Sequence, residues 1–257
     1  MEKSTSFDVA IVGGGASGMF AALLLGNRMR TTVLEKNDRC CKKLSATGNG
    51  QGNLSNQNLS AASFHGSGGG EYAWSIVQSY SHSAMQKLRE IGVVPQADER
   101  GRIYPRSRQA SALSDLIRAE CSRCGVTLSC GFDVSDVQYS QDTFILRSSD
   151  GRTIFSKAVL FAFGGAAAPS FGTDGKSYSL LKRFGHTCTP LLPSLVQLKC
   201  DVPKAFRLLK GVKCPASLKV LDGETALIES QGEILFTDYG VSGSAVFDVS
   251  GYAVQAL

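Results

Sequence analysis

The chain opens on an apolar run, Phe7-Asp8-Val9-Ala10-Ile11-Val12, whose β-branched residues predict a buried strand. Six residues of Gly, Ala and Ser follow. Then comes Met19-Phe20-Ala21-Ala22-Leu23-Leu24-Leu25, a stretch of good helix formers closed by Gly26. A second strand, Thr31-Thr32-Val33-Leu34, ends at Glu35. Ala73 to Ile91 has helical spacing, with Trp74, Val77, Ala84, Leu88 and Ile91 along one side and Gly92 closing it. A further helix is expected from Ala110 to about Arg123. Between Val126 and Phe163 the period shortens to alternating runs: Val126-Thr127-Leu128, Phe132 to Tyr139, Thr143 to Leu146, then Thr153 onward, with Asp150-Gly151 as a hairpin signal. These predict a small antiparallel meander leading back into a parallel strand, Ala158 to Phe163. From about Pro190 the pattern is β again, in Leu195 to Leu198, Ser217 to Val220, Ala226 to Ile228 and Glu233 to Phe236. The fold class expected is α/β.

The opening strand, glycines, helix, second strand and acid stand in the register of a dinucleotide-binding unit. In Gly13-Gly14-Gly15-Ala16-Ser17-Gly18, Gly13 makes the tight turn, Gly15 lets the backbone approach a pyrophosphate, and Gly18 lets helix and strand pack closely. Ala16 and Ser17 begin the helix, whose free N–H groups and dipole favour phosphate. Glu35 lies 22 residues after Gly13, where a carboxylate accepts hydrogen bonds from ribose hydroxyls. It would repel a 2′-phosphate, which argues against NADP and leaves NAD and FAD both open.

A long polar loop runs from Lys36 through Cys40-Cys41 to Lys43-Leu44 and on to Thr47-Gly48-Asn49-Gly50-Gln51-Gly52-Asn53-Leu54-Ser55-Asn56. Its many backbone and amide donors suit a wall around a flavin. A flexible surface loop is the other reading. Here the sequence resembles the BaiN/YhiN-like family of FAD-dependent flavoproteins, whose pattern is a Lys-Leu stretch followed by T-G-N-G-R-C-N-L-T-N. Gln51 stands where that family has Arg, and Gly52 where it has Cys. Similar likenesses lie in Gly101-Arg102-Ile103-Tyr104-Pro105-Arg106-Ser107, in Leu160 to Gly165 (with Phe163 in place of Thr), in Gly172-Thr173-Asp174-Gly175 through Gly185-His186, in Pro193 to Leu198 and in Gly232 to Gly243.

The resemblance implies a Rossmann-type FAD-binding domain of the two-dinucleotide-binding-fold type over residues 1–189. The meander is its crossover, and residues 190–257 are part of an inserted, β-rich substrate domain. It implies an oxidoreductase that moves hydride between flavin and a small-molecule substrate, with NAD(P)H as the candidate reductant. The flavin contacts it implies in the loop are Lys36, Lys43, Thr47, Gly48, Asn49, Gly50 and Asn53. Gly164 and Gly165 are expected beside the pyrophosphate crevice. Val134 either offers main-chain groups to the adenine or is an ordinary strand valine. In the family a later segment returns to complete the flavin site. On that expectation a chain stopping at Leu257 is a fragment, a truncated form or a diverged short member, with a more exposed flavin ring.

Composition narrows the partners. An apolar share of 43% with 19% charged residues is that of a globular domain, and the net charge of +5 is modest. Basic residues are scattered; the densest group, Arg100, Arg102, Arg106 and Arg108, serves an anionic substrate or cofactor as well as it would a nucleic acid. No apolar run approaches the roughly 18 residues of a membrane span. The short polar N-terminus shows no signal peptide, so a cytoplasmic protein is expected, without membrane or nucleic-acid partner. The eight cysteines lack zinc-site spacing, and free thiols are expected. Cys121 and Cys124 form a C-x-x-C at a helix end, the wrong end for a redox motif, and the vicinal Cys40-Cys41 is a strained substitute for one. His65, His82 and His186 are the only histidines. His186 fits the family's Gly-His dipeptide, yet a structural histidine fits too. Tyr104, Arg102 and Arg106 are candidates for a substrate cleft, and catalytic residues are not assigned. Two other functions remain: a non-catalytic FAD- or nucleotide-binding protein, and an FAD-dependent RNA-modifying enzyme.

Overall fold

The computed structural model describes residues 6–64, 70–201 and 204–257; His65 lies outside them. The chain divides into two compact units, Met1–His186 and Thr187–Leu257.

The first unit begins with strand β1 (Ser6–Val12), helix α1 (Ala16–Leu25) and strand β2 (Thr31–Glu35). A turn of 3-10 helix at Leu44–Gly50 leads to β3 (Ser55–Asn56) and the long helix α2 (Gly70–Glu90). Next come β4 (Pro95–Ala97), β5 (Arg102–Pro105), α3 (Ala110–Arg123) and β6 (Thr127–Cys130). The meander follows as β7 (Val134–Ser140), β8 (Thr143–Ser148) and β9 (Thr153–Phe161), before the short helix α4 (Tyr178–Lys182).

Six of these strands form one sheet in the order β6-β2-β1-β9-β8-β7. The four strands β6, β2, β1 and β9 run parallel, and β8 and β7 add antiparallel hairpins at the edge. This is the Rossmann-type arrangement with a meander crossover. Strand β9 belongs to both halves: Thr153–Ser156 pairs antiparallel with β8, and Phe155–Phe161 pairs parallel with β1. The run at Val126–Leu128, grouped with the meander by its alternation, instead joins the parallel sheet beside β2. Helix α3 packs beside α1 and delivers the chain to that edge, which a local pattern does not reveal.

Both faces of the parallel strands are covered, as such sheets require. Val9, Ile11 and Val33 face a core made with Met19, Ala22 and Leu23 of α1 and Leu113, Ile117 and Cys121 of α3. Ala10, Val12 and Leu34 face the other side, against Phe132, Val137 and Leu146 of the meander region and Leu180 of α4. Ile11, Met19, Leu34 and Leu146 are fully buried, each contributing about 1.5–3 kcal/mol by leaving water. Helix α2 turns Leu88 inward, with Trp74, Val77 and Ala84 half-buried on the same stripe.

The second unit is a four-stranded antiparallel sheet, ordered β10 (Leu198–Lys199), β13 (Gly240–Ser242), β12 (Thr225–Phe236) and β11 (Lys213–Asp222). Helix α5 (Ser244–Ala256) packs Ala245 and Val246 against Ile234. The runs expected at Ala226–Ile228 and Glu233–Phe236 are one continuous strand. Gly232 lies where a Cβ would come within 2.7 Å of Ser244 Oγ, so its bare backbone admits the start of α5. Of the run expected at Leu195–Leu198, only Leu198 is in a strand, and Leu195 has left-handed φ of 58°.

Candidate functional site

Val12, Glu35 and Phe161 end three adjacent parallel strands, and a cleft of about 310 Å³ opens beyond those ends. That is where open α/β sheets bind ligands. Its floor is the turn Gly13-Gly14-Gly15 and the start of α1 at Ala16 and Ser17.

The glycines of this turn have different causes. Gly13 has φ of 109°, and a Cβ there would lie 2.5 Å from the Ala162 carbonyl oxygen. A Cβ on Gly18 would lie 2.0 Å from the Gly13 carbonyl oxygen and 3.2 Å from Ala162 Cβ. Both are required by the fold. Gly15 has ordinary φ of −76°, and a Cβ there would meet nothing within 4 Å. Protein packing gives no reason for glycine at position 15, which lines the open cleft. Among the described residues of α1, no side chain caps the helix start, and its first turn carries no acid, so its N–H groups and dipole are open to an anion.

Glu35 lines the cleft and is 8% exposed. Its Oε2 accepts the backbone N–H of Gly14 at 2.8 Å. Its Oε1 accepts both the backbone N–H of Asn37 at 2.8 Å and the Asn37 side-chain amide at 2.7 Å. The Asn37 Nδ2 also donates to the Phe171 carbonyl at 3.2 Å, and the Asn37 carbonyl accepts from Gly131. A carboxylate has about four lone-pair sites, so the two donors on Oε1 fill that oxygen and the one on Oε2 leaves a site for a further donor.

Lys36 and Lys43 also line the cleft. Lys43 Nζ donates to Thr173 Oγ1 at 2.9 Å and to the Ala167 carbonyl at 3.3 Å. Lys42 pairs with Asp38 at 2.6 Å; among the described residues neither Lys36 nor Lys43 forms such a pair with a carboxylate. Gly164, Phe171, Gly172 and Thr173 add a further stretch of wall, and Phe132, Asp133 and Val134 also line the cleft. The cleft thus brings together an acceptor carboxylate, the open N–H groups of the helix start and the cations of Lys36 and Lys43.

The sequence motifs therefore meet here in part. Gly13, Gly15, Ala16, Ser17, Glu35, Lys36, Lys43, Val134 and Gly164 line one cleft. Gly18 lies behind it, and Gly165 is turned toward the Tyr178 hydroxyl, with a Cβ position 3.3 Å from it. The segment Thr47–Asn53 lies outside the cleft. Thr47 Oγ1 donates to the Leu44 carbonyl, Asn53 Nδ2 to Ser55 and Ile103 carbonyls, and a Cβ on Gly48 would lie 3.2 Å from Tyr104 Cε1. Asn49 and Gly50 are exposed with left-handed φ of 57° and 81°. Sequence reasoning missed Asn37, Thr173 and the Phe171 wall; the Glu-x-Asn spacing was visible, but not what the amide would reach.

At the departures from the family pattern, Gln51 Oε1 accepts from the Arg108 guanidinium at 2.9 Å, and that guanidinium lies 4.8 Å from the Tyr104 ring centre. Arg102 is paired with Asp98 at 2.8 Å. Tyr104 is buried, and none of Arg102, Tyr104 and Arg106 lines the cleft. His82 and His186 are exposed. All eight cysteines are free. Cys40 Sγ and Cys130 Sγ are 3.9 Å apart, and burial together with that neighbour pushes the Cys40 thiol far up. Burial likewise raises Cys41 to about 11 and Cys121 to about 12, the opposite of an activated thiol. Among the described residues no helix is long and apolar enough to cross a membrane, and no cluster of three His, Cys, Asp or Glu is placed to hold a metal.

Comparison with known proteins agrees with the fold. The chain is 34% identical over 253 residues to 3-dehydro-bile acid delta(4,6)-reductase of Clostridium scindens, covering 97% of this chain and 61% of that protein. It is 25% identical over 249 residues to the ribosomal RNA dihydrouridine synthase of Escherichia coli, covering 96% of this chain and 61% of that protein. The chain thus spans about three fifths of the length of these relatives. Among solved structures, the open conformation of a flavocytochrome c3 fumarate reductase has a TM-score of 0.56 at 15% identity, covering 82% of this chain and 47% of that one. The 3-ketosteroid-delta4-(5alpha)-dehydrogenase of Rhodococcus jostii has a TM-score of 0.50 at 11% identity, covering 64% of this chain and 47% of that one. Those two likenesses are of fold alone. Residues 7–249 match the family model described as the HI0933-like protein Rossmann domain, and the chain belongs to that family.

Proposed function

We propose that this chain holds FAD, with the ADP half in the cleft beyond β1, β2 and β9. The protein it belongs to would then be an FAD-dependent oxidoreductase. The observation that carries the reading is Gly15, a glycine with no neighbour to make room for, facing a cleft with open helix N–H groups. Ala16 and Ser17 and the cations of Lys36 and Lys43 suit a pyrophosphate; Glu35 suits the ribose hydroxyls of the AMP part; Val134 and Phe132 suit the adenine end. Gly164 stands beside the pyrophosphate in this reading. The Thr47–Asn53 loop, outside the cleft, is assigned to the flavin end on the strength of the family resemblance. When bound, the flavin supplies hydride acceptance and donation, while the protein orients it and excludes water.

The substrate is proposed to be a small unsaturated molecule, with NAD(P)H as the reductant and the second unit as part of a substrate-facing domain. Identity favours the class named for the bile acid reductase, at 34%, over the ribosomal RNA named for the dihydrouridine synthase, at 25%. The test is spectroscopic. The purified chain, mixed with FAD, should quench and shift the flavin signal, and Gly15→Val should not. Reoxidation of the photoreduced flavin by a 3-dehydro-delta(4,6) bile acid, and not by a ribosomal RNA transcript, is the expected choice; no flavin perturbation at all overturns the reading.

A further inference from the structure

We infer that Asn37 is a positioning residue for the nucleotide ribose, acting through Glu35. The inference rests on the assignment of Glu35 to the ribose of a bound adenine dinucleotide. One side-chain amide, Asn37 Nδ2, reaches two parts of the cleft. It donates to Glu35 Oε1 at 2.7 Å and to the Phe171 carbonyl at 3.2 Å. The Asn37 backbone N–H donates to the same Oε1, and its carbonyl accepts Gly131 N–H at 2.8 Å, so the residue is fixed at both ends. Gly14 N–H holds the other oxygen, Oε2. The carboxylate therefore has little freedom to rotate: three donors set its plane, and about one acceptor site, on Oε2, is left for a ligand in the cleft that Glu35 lines.

The same amide explains the shape of the wall. A Cβ on Gly172 would lie 3.0 Å from Asn37 Nδ2 and 2.9 Å from Lys36 Cε, so the turn at Pro169–Gly172 sits directly on the Asn37 side chain. Preorganised acceptors bind better because the ligand does not have to order them. Removing the amide frees Glu35 on one side and the Phe171 wall on the other. The ribose hydroxyls are where that loss is felt, since they are the ligand groups that donate to the carboxylate.

The ligand can be trimmed to separate this from a purely structural role. Binding of ADP and of 2′,3′-dideoxy-ADP to the whole chain is measured by calorimetry, for the parent and for Asn37→Ala. The parent should prefer ADP by roughly tenfold or more, the range of hydrogen bonds to a charged group. Asn37→Ala should lower ADP affinity about tenfold and leave dideoxy-ADP within about twofold, so the preference collapses. Asn37→Asp, which keeps the shape but sets a carboxylate against Glu35, should lose the preference as well, and it serves if the alanine variant is unstable. A parent preference that survives in the variants, or equal weakening of both nucleotides, overturns the inference and leaves Glu35 at the ribose. A parent without preference overturns the ribose assignment itself, and the inference with it.

Discussion

Replacing Gly15 by Val places the new side chain where a Cβ meets nothing within 4 Å, so the fold should lose no more than about 1 kcal/mol. Flavin binding should vanish, as measured by fluorescence titration; equal binding in the variant would remove the pyrophosphate from this turn. Gly18→Ala is the opposite case. Its methyl would press within 2.0 Å of the Gly13 carbonyl oxygen, and an overpacking cost of roughly 1–3 kcal/mol is expected in urea unfolding. The motif separates the two glycines, Gly18 for close packing and Gly15 for open space, and the distances around them agree with that division. Glu35 was legible by its distance from Gly13. Its hold on Gly14 and Asn37 was not, because side-chain reach across a turn has no periodic signature. Glu35→Ala should therefore cost affinity of roughly 1.5–3 kcal/mol and also leave the buried Gly14 donor short of a partner. Flavin titration beside urea unfolding checks both effects, and an unchanged dissociation constant removes Glu35 from the ribose.

At the scale of elements, the helical and alternating patterns of the first unit correspond to its helices and strands. The β1-α1-β2 unit, α2, α3 and the meander all stood in the sequence. Helix α5 did not: Gly251 and several β-branched residues mask the spacing of Ala245, Val246 and Val249, which only the sheet beneath makes coherent. The Thr47–Asn53 loop was legible as composition, and its packing on β5 and α3 was not. That packing yields a prediction about Gly52, where the family pattern has Cys. Gly52 has φ of 75°, and its Cβ position lies 3.2 Å from Ala110 Cα at the head of α3. Gly52→Cys should destabilise the chain by about 1–2 kcal/mol, the cost of a left-handed non-glycine residue. A melting temperature equal to the parent's would mean that the loop refits around the new side chain.

For the molecule as a whole, the buried thiols set an alkaline limit. Cys40, Cys41 and Cys121 are each raised by burial above the ordinary 9.0, Cys41 to about 11 and Cys121 to about 12. Between pH 9.0 and about 11 the unfolded chain releases protons that the folded chain keeps. The folded state binds more protons there, so stability is intact below pH 9 and falls as pH rises. Each thiol contributes a slope of about 1.4 kcal/mol per pH unit, so three give roughly 4 in the steepest part of the window. Unfolding free energy in urea between pH 8 and 10.5 checks this; a flat profile would mean the thiols titrate normally. At pH 8 a thiol reagent should label the exposed Cys188 first and reach Cys40, Cys41 and Cys121 only with unfolding.

Strand β9 completes both halves of the main sheet, and that has a consequence for biosynthesis. β1 leaves the ribosome well before its partner strand, since Phe161 lies about 150 residues beyond Val12. Until β9 emerges, one edge of β1 has no ladder, and the cleft wall from Gly164 to Thr173 does not exist. A nascent chain shorter than that has no complete cleft, so if the cleft holds the proposed nucleotide, ligand rescue of folding must begin late in translation, after the wall has been made.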